Sequence, residues 1–120
     1  MKNFRRKIDA RNIEIQKIFD NHKPIVLFGY NEIAKYLLEK EISKICVVDK
    51  KLKDNFKNQN IIKKVKFKTI QDISKKSIII NCVSGIKVWQ VNFKLRNLGF
   101  RVFSWIEIKN ALDFRDFDYW

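Results

Sequence analysis

Apolar residues recur along the chain with two different periods. Over residues 2–20, Phe4, Ile8, Ile15, Ile18 and Phe19 return at spacings near one helical turn, and Arg5, Arg6, Lys7, Arg11 and Lys17 fill the other side. That pattern predicts an amphipathic helix. Asn21-His22-Lys23-Pro24 ends it, since proline disfavours helical backbone in the residue before it. Beyond Pro24 the pattern changes to short continuous apolar runs at Ile25–Phe28, Ile45–Val48, Ser77–Cys82 and Phe100–Trp105. Runs of that length suit strands buried on both faces. A weaker alternation over residues 61–70, best at Val65 and Phe67, predicts a short edge strand. Between the strands, Tyr30-Asn31-Glu32 turns into a helix predicted through about Glu39, with Ile33, Ala34, Leu37 and Leu38 on its inner side. Another helix spans Ile86 to Leu98, with Ile86, Trp89, Val91 or Gln90, Phe93 and Leu95 competing for its inner face and Gly99 closing it. Residues 50–60 read as a polar connection, residues 70–76 as a turn or one helical turn, and residues 106–112 as a short helix or turn.

Strands alternating with helices predict an α/β fold with a mostly parallel sheet. Right-handed crossovers make it a small Rossmann-like, doubly wound sandwich of four to five strands, with helices on both faces and an amphipathic helix in front. The expected organisation is one domain over residues 1–120: a leading helix (1–23), an α/β core (24–105), and a short helix with an aromatic tail (106–120).

Charge adds a second pattern. Twenty-six Lys and Arg against 13 Asp and Glu leave a net charge of +13. Twenty Lys, 18 Ile and 11 Asn beside only 6 Arg form the bias that an AT-rich coding sequence favours. The charge is also uneven, with ten Lys and two Asp between Lys50 and Lys76. A lysine-coated surface of this kind attracts phosphate-rich partners, but nucleic-acid readers rely on Arg and interleaved aromatics, which are scarce here. The tail is the opposite: Phe114, Phe117, Tyr119 and Trp120 alternate with Asp113, Asp116 and Asp118. An aromatic segment of that kind is expected to pack, on this domain, on an adjoining one or on a second copy. No apolar run reaches the length of a membrane span, and the charged stretch Lys2 to Arg11 does not resemble a secretory leader. Two cysteines make neither a disulfide framework nor a zinc site. The expectation is a cytoplasmic protein with reduced thiols.

In an open parallel sheet, ligands bind beyond the carboxyl ends of the strands, where the strand order reverses. Three segments are expected there. Gly29-Tyr30-Asn31-Glu32-Ile33-Ala34 follows the first strand, Asp49-Lys50 follows the second, and Asn81-Cys82-Val83-Ser84-Gly85 follows the fourth. The first is an imperfect form of the Gly-x-Gly-x-x-Gly/Ala dinucleotide fingerprint, with Asn31 in place of the middle glycine and Ala34 in the third position. Asp49 lies at the distance expected of a ribose-binding acid. On this reading Gly29 and the Tyr30–Ile33 amides, Glu32 included, face phosphate. Asp49 accepts from ribose hydroxyls, Lys50 and Lys51 add attraction, and Ser84 with Gly85 lines the other wall. The competing reading has Gly29 and Ala34 serving packing and Asp49 finishing a strand. His22, the only histidine, is expected at the opposite end of the sheet from Ser84, so no nucleophile–base pair forms. Cys46 and Cys82 read as small core residues. No catalytic constellation emerges, and enzymatic activity stays open.

The run Lys23-Pro24-Ile25-Val26-Leu27-Phe28-Gly29, then Glu32-Ile33-Ala34, then Val47-Val48-Asp49 resembles the N-terminal Rossmann-like domain of FkbM-type methyltransferases and related bacterial glycan-modifying enzymes. Val65 with Phe67-Lys68-Thr69-Ile70-Gln71-Asp72 resembles the short strand and helical turn of those domains. The likeness covers roughly residues 10–115 and rests on few specific positions. It implies an accessory domain that binds a nucleotide or nucleotide-sugar, the methyl-transfer domain that uses S-adenosylmethionine lying beyond it. Gly29, Asn31 and Asp49 would be its contacts. NAD and S-adenosylmethionine remain in the same ligand class. Two other readings stand beside it: an interaction or oligomerisation domain with a degenerate nucleotide site, using the first helix and the tail, and a basic nucleic-acid-binding protein.

Overall fold

Five short strands, each four residues or fewer, pair through the backbone into one parallel sheet. A computed structural model describes residues 13–19, 24–56 and 65–112. The elements are a helix over residues 13–19 (α1), β1 (Ile25–Phe28), α2 (Glu32–Glu39), β2 (Ile45–Val47), α3 (Lys50–Phe56), β3 (Lys66–Lys68), a 3-10 turn (Ile70–Asp72), β4 (Ile78–Asn81), α4 (Lys87–Asn97), β5 (Arg101–Ser104) and α5 (Trp105–Leu112). The strand order is β3-β2-β1-β4-β5, every neighbouring pair parallel. This is the small α/β Rossmann-like arrangement, with the order reversing between β1 and β4.

Side chains alternate across the strands into two separate cores. On one face Leu27, Cys46, Ile78, Ile80 and Phe103 pack with Ile15 and Ile18 of α1, Leu37 and Leu38 of α2, and Ile108 of α5. On the other face Val26, Val47, Ile79 and Val102 pack with Leu95 of α4, Phe100 and Ile73. Strand β4, between β1 and β5, is buried along its whole length, as its unbroken Ile-Ile-Ile-Asn run requires. Four of the helices and turns are closed by their own side chains. Asn31 caps α2, Asp49 caps α3, and reciprocal bonds join Ser104 to Glu107 at α5 and Thr69 to Asp72 at the 3-10 turn.

Three expectations change. Residues 50–56 form α3 rather than a polar connection, because Asp49 Oδ1 accepts from Leu52 N at 2.8 Å and starts the helix. Trp105 begins α5 instead of ending the last strand, since the Ser104-x-x-Glu107 capping box turns the chain there. Most consequentially, α4 turns its largest apolar residues outward. Val88, Asn92 and Leu95 are buried, whereas Ile86, Trp89 and Phe93 are 86%, 64% and 67% exposed. The leading helix expected from residue 2 is seen over residues 13–19, with Ile15 and Ile18 buried. Its earlier part, with Phe4 and Ile8, lies outside the described residues, as do His22, residues 57–64 and the tail 113–120.

The connection from β3 to β4 spans residues 69–77 and carries only the 3-10 turn where doubly wound sheets usually place a full helix. Among the described residues Ile70 and Ile73 cover that part of the second face, and Phe28 and Ile45 stay half-buried beside them. A groove is therefore left next to the carboxyl ends of β1, β2 and β3.

The orientation of α4 is tested by truncating its inner and outer residues. Leu95→Ala should lower stability by about 2–5 kcal/mol, as expected for emptying a core site. The neighbouring exposed Lys94→Ala should stay within about 0.5 kcal/mol. Urea unfolding followed by circular dichroism reads both.

Candidate functional site

At the reversal between β1 and β4 the crevice is occupied by the protein's own side chains. Gly29 leaves β1 at φ +90°, a conformation that a side chain rarely adopts, and its amide stays in the sheet by donating to Val47 O at 2.9 Å. The turn carries the chain into Asn31, whose Oδ1 accepts from Ala34 N at 3.0 Å and whose Nδ2 donates to Cys82 O at 2.8 Å. One amide therefore caps α2 and ties the first βα turn to the end of β4. Glu32 stands in the first turn of α2 and supplies the negative charge that the helix dipole favours. Asn31 occupies the space and one of the amides that a pyrophosphate uses in an intact fingerprint, and the adjacent carboxylate repels phosphate.

The far wall of the crevice is equally committed. Asn81 is fully buried, donates from Nδ2 to Val88 O and Asn92 Oδ1 at 3.0 and 2.9 Å, and accepts from Val83 N at 3.0 Å. Trp105 Nε1 donates to Val83 O at 3.2 Å. These bonds hold the loop after β4 against the sheet, with the Val83 methyl 3.7 Å from where a Cβ on Gly29 would stand. Ser84 and Gly85 are exposed beyond it.

The open cleft lies to the side, over β1, β2 and β3. It has a volume of about 470 Å3 and is walled by Phe28, Val48, Leu52 and Ile70, with Gly29, Tyr30, Asp49, Lys50, Thr69 and Gln71 around them. Tyr30 leans on Phe67, ring centroids 5.3 Å apart, and burial raises its phenol pKa, the Cys46 thiol adding a smaller push. Asp49 spends Oδ1 on the cap of α3. A larger cavity of about 590 Å3 opens at the amino ends of the strands, between Phe19, Ile25 and residues 41–45. There the Ser43 hydroxyl is already bonded to Ile25 O, Ile45 O and Ile45 N. The carboxyl-end cleft is the better site, because it joins an uncommitted carboxylate oxygen, apolar walls and the end of the sheet where parallel folds bind ligands.

Four of the eight expected site residues, Gly29, Tyr30, Asp49 and Lys50, meet in this cleft, while Asn31, Glu32, Ser84 and Gly85 do not line it. Sequence reasoning overlooked Leu52 and Thr69–Gln71. The signal was present in Thr69-x-x-Asp72, a capping pattern placed directly after the third strand, at the same end of the sheet as Asp49. Among the described residues no three His, Cys, Asp or Glu side chains gather in a way that would hold a metal ion, and no helix is long and apolar enough to cross a membrane. Comparison with protein-family models, with curated proteins and with solved structures found no match to this chain.

Neither thiol is built for nucleophilic chemistry. Burial pushes Cys46 up to about 12 and Cys82 well above the ordinary thiol range. In the native protein both should resist a thiol-specific disulfide reagent at pH 8 and react on unfolding. A thiol whose pKa is raised by folding gives stability that is complete below the unfolded value of 9.0 and lost as pH climbs toward 12. Urea midpoints measured over that window should therefore fall more steeply for the native chain than for Cys46→Ala. The Asn31 bridge is tested by Asn31→Ala, which removes a helix cap and a tie to β4 together and should cost about 1–3 kcal/mol in the same assay.

Proposed function

We propose that the chain is a nucleotide-binding accessory domain that seats the nucleoside part of a nucleotide or nucleotide-sugar in the β1–β2–β3 cleft. The observation that carries this reading is the position of Asp49 at the end of β2, beside an apolar slot of about 470 Å3. A planar base fits between Phe28 and Ile70 on one side and Leu52 and Val48 on the other. The second oxygen of Asp49 then accepts from ribose hydroxyls while the first keeps α3 capped. Lys50 and Lys51 give phosphate a favourable potential at the rim without a fixed grip. Affinity on this reading comes from the nucleoside, because Asn31 and Glu32 deny phosphate the start of α2. The chain's likeness to the leading domain of FkbM-type and other glycan-modifying enzymes points to the same ligand class, with the chemistry carried out by another domain or protein.

The test is thermal unfolding with AMP, UMP, UDP-N-acetylglucosamine, NAD and S-adenosylmethionine at millimolar concentration. At least one should raise Tm by about 2–4 °C, the size expected of ligand present a few-fold above its dissociation constant. Asp49→Asn should abolish that shift and leave the unliganded Tm nearly unchanged, since Asn caps a helix as well as Asp does. No shift with any of the five, or a shift that survives Asp49→Asn, sinks the proposal.

A further inference from the structure

The outward face of α4 carries an apolar ridge with positive charge on both sides. Ile86, Trp89 and Phe93 are each more than half exposed, although the helix has a buried face of its own in Val88, Asn92 and Leu95. Successive helical residues are turned by about 100°. On that projection the three fill an arc of about 60°, turned about 120° from the buried side. Exposed Asn97 and Gln90 continue the outward arc, so it stays uncharged between Arg96 on one flank and Lys94 and Lys87 on the other. Arg96 is anchored by donating from Nη2 to Val102 O at 3.1 Å. Lys75 adds a further cation at the carboxyl end of α4, where its Nζ bonds to Leu98 O and lies 3.9 Å from the centre of the Phe100 ring. The helix itself contains no acid.

An apolar ridge flanked by cations has the layout of a helix that lies in the surface of a bilayer. Trp and Phe sink to the acyl boundary, while Lys and Arg reach lipid phosphates on long apolar stems. Anionic headgroups supply the charge that the flanks attract, and the net charge of +13 pulls the whole chain toward the same surface. Other occupants fit less well. A second copy of α4 would set Lys87, Lys94 and Arg96 against their own kind. An acidic protein would find at most roughly 250 Å2 on each aromatic ring and less on Ile86, short of the roughly 800 Å2 per partner that a standard interface buries. A fluid bilayer closes round a convex ridge without a shaped pocket. We propose that α4 is a membrane-contact helix, its Ile86–Trp89–Phe93 ridge seated in the headgroup region of an anionic bilayer and Lys87, Lys94 and Arg96 on lipid phosphates. None of these residues lines the β1–β2–β3 cleft, so this surface stands or falls separately from the nucleotide reading.

The test is co-sedimentation of the full chain with vesicles of phosphatidylglycerol and phosphatidylcholine in equal parts, beside vesicles of phosphatidylcholine alone. The chain should pellet with the mixed vesicles and bind the neutral ones at least about ten-fold more weakly. Trp89→Ser with Phe93→Ser leaves the charge and the buried face of α4 as they are. That variant should keep its circular dichroism spectrum and bind the mixed vesicles at least about ten-fold more weakly than the native chain. Bromine on the acyl chains should quench the native tryptophan fluorescence, and Trp89→Phe should still bind but lose that quenching. Absence of binding to the mixed vesicles, as expected of a ridge kept for an acidic protein, overturns the proposal. Equal binding to both kinds of vesicle overturns it too. So does binding that survives the double replacement, since it then rests on net charge alone, or quenching that Trp89→Phe leaves intact.

Discussion

The Asn31 side chain sits where the fold has to reconcile two demands. A parallel sheet covered on both faces must send β1 into α2 on one side and β4 into α4 on the other, which opens a crevice between the two turns. Dinucleotide-binding folds leave that crevice to a ligand and line it with glycine. Here Asn31 closes it, with Oδ1 on the α2 amide and Nδ2 on the carbonyl of Cys82. Val83 and Trp105 complete the closure from the other wall. The protein takes for its own helix cap the Ala34 amide that would otherwise donate to a phosphate.

That closure moves the candidate site sideways. The short β3–β4 connection lacks the helix that would pack on β1 and β2, so the remaining space is a slot walled by Phe28, Ile70 and Leu52 with Asp49 at its edge. Its chemistry suits a flat, hydroxyl-bearing group better than a highly charged one. The lysine-rich stretch from Lys50 onward then acts as a background potential. Its salt-sensitive attraction falls off within about 10 Å at moderate ionic strength and specifies no base or phosphate geometry.

The sheet was legible because four continuous apolar runs between polar breaks can hardly be anything but buried strands, and β1, β2, β4 and β5 lie within them. Asp49 and Gly29 were legible for the same reason, since both stand at the ends of such runs. The two helix starts at Asp49 and Ser104 were hidden because capping acts through one or two side-chain bonds and leaves no trace in hydrophobic periodicity. The orientation of α4 was not legible at all. Its apolar residues lie around most of the helix, and the smaller Val88 and Leu95, with Asn92 bonded to Asn81, fit the close approach to β4 and β5 where Trp89 and Phe93 do not. Size at the contact decided the face, and hydrophobicity alone does not encode it.

Amide chemical-shift mapping during titration with a nucleoside monophosphate separates the side cleft from the reversal crevice most directly. The closed-crevice account predicts that shifts concentrate at Gly29, Tyr30, Asp49, Lys50 and Thr69–Gln71 and spare Ala34, Val83, Ser84 and Gly85. Shifts centred on residues 31–34 and 83–85 would contradict it, because the ligand would then have displaced the Asn31 bridge and occupied the phosphate position after all.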